Sequence, residues 1–104
     1  MSFAITSISP IDGRYFKQTE SLKPVFSEFG LIKNRVKVET LWLIALSNDK
    51  EIKELPKFSK QALKYLNHLF LDFNEKDAKA IKEIEKKTNH DVKAVEYWIR
   101  NQLK

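Results

Sequence analysis

No cysteine occurs among the 104 residues. That excludes a disulfide framework and a thiolate metal site, and it fits a reducing cytoplasm. Glycine occurs twice and proline three times. So few turn-formers argue against an all-β fold, which needs many turns. The glycines stand alone at 13 and 30, which excludes a glycine-rich phosphate loop. Two histidines, without a His-x-x-x-His or Asp-x-Asp cluster, leave no metal-ligand spacing. No apolar run approaches the roughly 20 residues needed to cross a bilayer. The start, Met1 to Thr6, lacks the basic and apolar regions of a signal peptide. The expected location is the cytoplasm, with no membrane partner.

What is present describes an ordinary globular chain. Hydrophobic residues make up 42% and aromatics 12%, too rich for disorder. The length suits one small domain, so residues 1–104 are expected to form a single helical domain. The net charge is +5, from 19 basic and 14 acidic side chains. Nucleic-acid binding needs basic residues gathered on one face. Here the signs alternate, as in Glu83-Ile84-Glu85-Lys86-Lys87, so a solvated surface is the reading and no nucleic-acid partner is expected.

The pattern predicts a mainly α fold, a small bundle of about five helices with an extended N-terminal arm. Met1 to Gln18 form the arm, because Pro10 disfavours helical geometry at Ser9 and Asp12-Gly13 is a turn dipeptide. A first helix is expected from about Glu20 to Phe29, with Pro24 in its first turn and Gly30 as the break. The second, Leu31 to Ser47, is apolar over more than one stripe, so its surface is core or partly interface. The third follows Ser59 as cap and places Ala62, Leu66, Leu69, Phe70 and Phe73 on one face. His68 falls on the other face and receives no catalytic role. The fourth opens at Asn74, with Glu75/Lys79 and Glu83/Lys87 at pairing distance. The last starts at Asp91, read as its N-cap, and carries Val92, Val95, Trp98, Ile99 and Leu103. Nothing after Leu103 reads as a stop, so this helix is expected to be cut short.

Two stretches invite a chemical reading. His90 stands between Asn89 and Asp91, just before a helix N-terminus whose partial positive charge favours anions. It is a possible anion site or a loop histidine bonded to nearby backbone. Near the other end, Gly13 would let Arg14 and Tyr15 approach a ligand, and an arginine fork suits phosphate or carboxylate. A packed arm with a turn explains the same residues. Composition and spacing do not separate these alternatives.

The motifs add a resemblance. Thr88-Asn89-His90-Asp91-Val92-Lys93-Ala94-Val95-Glu96-Tyr97 resembles the T-x-H-D-V-x-A-x-E-Y segment of adenylosuccinate lyases, of the fumarase/aspartase superfamily. Ser9-Pro10-Ile11-Asp12-Gly13-Arg14-Tyr15 is similar to their S-P-x-D-G-R-Y opening, and Phe26 to Leu31 to the segment that follows. The resemblance covers the whole chain, but only the N-terminal domain of that family. It implies purine biosynthesis: β-elimination of adenylosuccinate to AMP and fumarate, and of a related succinylated carboxamide ribonucleotide. It also implies a homotetramer and no metal or organic cofactor. Carried over by position, Arg14, Tyr15, Asn89, His90 and Asp91 become substrate-binding residues, with His90 in a possible assisting role.

One departure bears on mechanism. The family's flexible Ser-Ser-x-Met-Pro-x-Lys-x-Asn-Pro loop, which carries the base, is absent from these residues, as is the second histidine segment that supplies the acid. The expectation is therefore a substrate-binding segment inactive alone. The rival is a stand-alone helical interaction module, suggested by the wide apolar surfaces on Leu31–Leu46 and Val92–Leu103.

Overall fold

The computed structural model describes residues 3–103, and every regular element among them is helical. A 3₁₀ turn, Glu20–Leu22, leads into α1 (Lys23–Phe26), α2 (Glu28–Asn48), α3 (Lys60–Leu71), α4 (Glu75–Thr88) and α5 (Asp91–Gln102). No strand occurs among the described residues. The mainly α expectation of about five helices holds. The chain forms two compact units, Met1–Leu31 and Ile32–Lys104.

In the first unit residues 3–18 lie outside the helices and are wound through successive turns. Gly13 N–H donates to Ser9 O at 2.9 Å, and Tyr15 N–H to Pro10 O at 2.8 Å. Asp12 anchors them: its carboxylate accepts from Ser9 N–H at 2.8 Å, Ser9 Oγ at 3.1 Å and Ile8 N–H at 3.2 Å. These bonds, Ser9 N–H foremost, hold the Asp12 carboxyl below its ordinary range. Gly13 is required by space, since a Cβ there would lie 2.9 Å from Ser9 O.

The break between α1 and α2 falls at Ser27, not at Gly30, and α2 begins at Glu28 rather than Leu31. Ser27 Oγ donates to Lys23 O and accepts from Gly30 N–H at 3.0 Å, so one hydroxyl closes the first helix and opens the second. Gly30 sits inside α2 because the preceding backbone crowds it. A Cβ there would meet Pro24 O at 2.5 Å and the Val25 carbonyl at 2.7 Å.

The second unit is built on caps and one core. Ser59 Oγ accepts from Ala62 N–H at 3.1 Å at the start of α3. Asn74 and Asp77 form a reciprocal capping box at the start of α4, with bonds of 3.0 and 3.1 Å. Charged pairs on α4 stand at i,i+3: Glu83 takes Lys86 at 2.7 Å rather than Lys87, and Lys82 meets Glu85 at 2.8 Å. Ile32 and Val36 join Leu66, Phe70, Phe73, Ala78, Ile81, Ala94, Val95, Trp98 and Ile99 in the core. Phe73 meets Trp98 edge-on, with centroids 5.4 Å apart at 84°. Tyr65 Oη donates to Gln102 O at 2.6 Å and ties α3 to the end of α5.

The apolar width of α2 resolves into two faces. Ile32, Val36, Thr40 and Ser47 are buried along one stripe. Leu31, Val38, Leu41 and Trp42 are exposed and project roughly opposite at 3.6 residues per turn. The sequence pattern left this surface as core or partly interface; polar Thr40 and Ser47 occupy part of the inward stripe.

Candidate functional site

The segment joining α4 to α5 has a geometry set residue by residue. Asn89 ends α4 in the left-handed region (φ 54°, ψ 29°), and its N–H donates to Glu85 O at 2.8 Å. Asparagine tolerates that conformation better than most non-glycine residues. Thr88 Oγ1 accepts from His90 N–H at 3.2 Å and donates to His90 O at 2.9 Å, bracing the corner. The backbone then turns extended at His90 (φ −148°, ψ 116°), and α5 begins at Asp91.

The cap of α5 is His90, not Asp91. Its Nδ1 accepts the Lys93 N–H at 3.2 Å. The extended backbone places that nitrogen over the first turn, while Asp91, already helical, is one residue too late to act as cap. A nitrogen that accepts carries no proton, so the neutral ring bears its hydrogen on Nε2. The side chain is 65% exposed. His90 therefore offers solvent an N–H donor.

Asp91 is engaged on both oxygens. Oδ1 accepts from Val92 N–H at 2.8 Å, and Oδ2 meets Arg35 Nη2, from α2, at 2.9 Å. The Val92 N–H, with the charge and hydrogen bond of Arg35, holds the Asp91 carboxyl below its ordinary range. Sequence reasoning missed Arg35. Its only signal was an arginine among apolar α2 residues, and nothing local linked it to a site 56 positions later. Lys93 Nζ pairs with Glu96 at 3.1 Å, which raises the lysine pKa.

These contacts refine the anion reading. The Val92 and Lys93 N–H groups are consumed inside the chain, by Asp91 Oδ1 and His90 Nδ1. What faces outward is the imidazole, on a helix end whose dipole is positive. An anionic group accepting from Nε2 is the chemistry this corner supports. Arg14 and Tyr15 lie in the other unit, where the Arg14 guanidinium stacks on the Tyr15 ring at 4.6 Å. The structure thus brings Asn89, His90 and Asp91 together with Arg35 and Lys93, and Arg14 together with Tyr15. Among the described residues, no three His, Cys, Asp or Glu side chains form a metal-holding group, and no helix is long and apolar enough to cross a membrane.

Comparison with known proteins decides the kinship. The chain is 51% identical over 100 residues to an adenylosuccinate lyase of Vibrio cholerae, a match covering 96% of this chain. It is 47% identical over 100 residues to that of Escherichia coli, again over 96% of the chain. With the adenylosuccinate lyase of Dictyostelium discoideum the identity is 50% over 100 residues and 95% of the chain. The chain is a homologue of adenylosuccinate lyases. It spans 22% of the length of each of these adenylosuccinate lyases. No family model matches the chain. The adenylosuccinate lyase resemblance read from the two end motifs is therefore correct.

Proposed function

We propose that this chain is the N-terminal substrate-binding domain of an adenylosuccinate lyase. In that enzyme a base removes a proton beside a carboxylate and an acid protonates the departing nitrogen, so adenylosuccinate yields AMP and fumarate. The succinylated carboxamide ribonucleotide is its second substrate. The observation that carries the reading is about 50% identity to adenylosuccinate lyases along nearly the whole chain.

In this reading Arg14 and Tyr15 of one unit, and Asn89, His90 and Asp91 of the other, are substrate-binding residues. Arg14 contributes a bidentate fork for a phosphate or carboxylate, and Tyr15 supports its plane. His90 donates from Nε2 to an anionic group of the nucleotide. Asp91, already paired, orders the corner rather than gripping an anion that it would repel. The location is cytoplasmic and the complete enzyme a homotetramer, without metal or organic cofactor. The chain by itself binds without turning over, since base and acid come from segments it lacks.

The test is calorimetric titration of the chain with AMP, beside an assay for fumarate release from adenylosuccinate. Weak AMP binding, lost in Arg14→Ala and in His90→Ser, is expected, with no fumarate. Fumarate release by this chain alone overturns the division of labour. Full AMP affinity in both variants removes these residues from the site.

A second reading has one observation behind it. Trp42 is 60% exposed and Val38 63%, on the outward stripe of α2 with Leu41. A helical interaction module would present such a face to a protein partner. Trp42→Glu leaves AMP binding intact in the lyase reading, and abolishes partner capture in this one.

A further inference from the structure

Each histidine of this chain has an aspartate close by, and the two pairs differ in one respect. His68 Nδ1 sits 2.9 Å from Asp72 Oδ2, in direct hydrogen-bond contact. His90 Nδ1 sits 4.0 Å from Asp91 Oδ1, beyond such contact, and accepts Lys93 N–H instead. The second carboxylate is the one held elsewhere, its Oδ2 by Arg35 Nη2 at 2.9 Å and its Oδ1 by Val92 N–H at 2.8 Å. The Arg35 side chain is 26% exposed, more sheltered than Asp91 at 48% or His90 at 65%.

We infer that Arg35 is a positioning residue of the candidate site. By holding Asp91 Oδ2 it keeps that carboxylate off His90, so Nδ1 stays an acceptor for Lys93 N–H and the ring proton stays on Nε2, facing a ligand. The physical choice is between two states of one imidazole. A carboxylate that reaches Nδ1 demands a proton there, either by tautomer change or by charging the ring. Either costs α5 its cap, because a protonated Nδ1 cannot accept from Lys93 N–H. The first also leaves Nε2 an acceptor, which an anion avoids. A partner acting through a ring's environment is a familiar way to fix a histidine tautomer. What is particular here is that the arginine acts by withdrawing the carboxylate.

The consequence for AMP binding rests on the function proposed above; the effect on the imidazole does not. The experiment keeps them apart. Long-range proton–nitrogen correlation spectra of the ¹⁵N-labelled chain read the tautomer of His90 without ligand, and the Lys93 amide reports whether α5 is formed. Wild type is expected to show the Nε2–H form. Arg35→Met moves the proton to Nδ1 or charges the ring, Arg35→Lys keeps the wild-type pattern, and Arg35→Met with Asp91→Asn restores it. An unchanged His90 pattern in Arg35→Met overturns the inference. So does failure of the double variant to restore it. Should Arg35→Met alone not fold, the double variant, which leaves no unpaired carboxylate, carries the test: a Nδ1–H pattern in it refutes the role assigned to Asp91. AMP titration of the same proteins is the separate readout. A tautomer shift without any AMP binding by wild type sustains the positioning role and removes the proposal that this chain binds AMP by itself.

Discussion

His90 Nδ1 accepts the backbone N–H of Lys93 at 3.2 Å, so the residue closest to a ligand role also caps the helix that presents it. An alanine scan across this corner would confuse the two. A side chain that caps without an imidazole separates them.

His90→Ala is expected to cost about 1 kcal/mol, the usual loss for a missing N-cap. His90→Ser keeps an oxygen for Lys93 N–H and should match or exceed wild-type stability in urea denaturation. Both variants lose AMP binding in the proposed function. Equal destabilisation by serine and alanine would show that the cap contributes little.

Gly30→Ala inverts a general rule. Inside a helix that change normally stabilises by about 0.5–1 kcal/mol. Here the added Cβ meets Pro24 O at 2.5 Å and the Val25 carbonyl at 2.7 Å, backbone atoms that cannot swing aside. The expected outcome is a loss of about 1–3 kcal/mol, read as a lower urea midpoint. A raised midpoint would contradict the crowding.

Thr40 is fully buried and its Oγ1 has no hydrogen-bond partner. Replacing the hydroxyl by a methyl removes an unsatisfied group at nearly constant shape. Thr40→Val should stabilise by about 1 kcal/mol, raising the midpoint of thermal unfolding. A lowered midpoint would mean that the hydroxyl does find an acceptor.

Acid should weaken the fold through three named carboxylates. Asp12, Glu83 and Asp91 are all held below their ordinary values, by Ser9 N–H, by Lys86 and by Val92 N–H respectively. A carboxyl with a depressed folded pKa adds stability above its unfolded value, near pH 4. That contribution is lost as pH falls through the lower folded value. Circular dichroism of urea midpoints from pH 5 downward should therefore decline, and Asp91→Asn should flatten the decline. An identical slope in that variant would separate Asp91 from acid sensitivity.

Local chemistry was the legible part. Ser59 and Asn74 were readable as caps because a short polar side chain before an apolar run satisfies orphan N–H groups wherever it occurs. The helical class followed from scarce glycine and proline, and kinship from the two end motifs. The Ser27 break was misread because Gly30 looks like a helix end when the backbone pressing on it cannot be seen. The cap of α5 moved from Asp91 to His90 because both residue types can accept. Only the extended backbone at 90 chooses between them.

The sequence by itself determined which segments coil into helices and which proteins they are homologous to, since both depend on residue types at short spacing. Tertiary structure alone decided which stripe of α2 turns inward, because Ile32, Val36, Leu41 and Trp42 are alike in hydrophobicity and differ only in what they face. It also decided the fate of Asp91. Arg35 lies 56 residues away, and an ion pair that distant exists only once the chain has folded α2 against the first turn of α5.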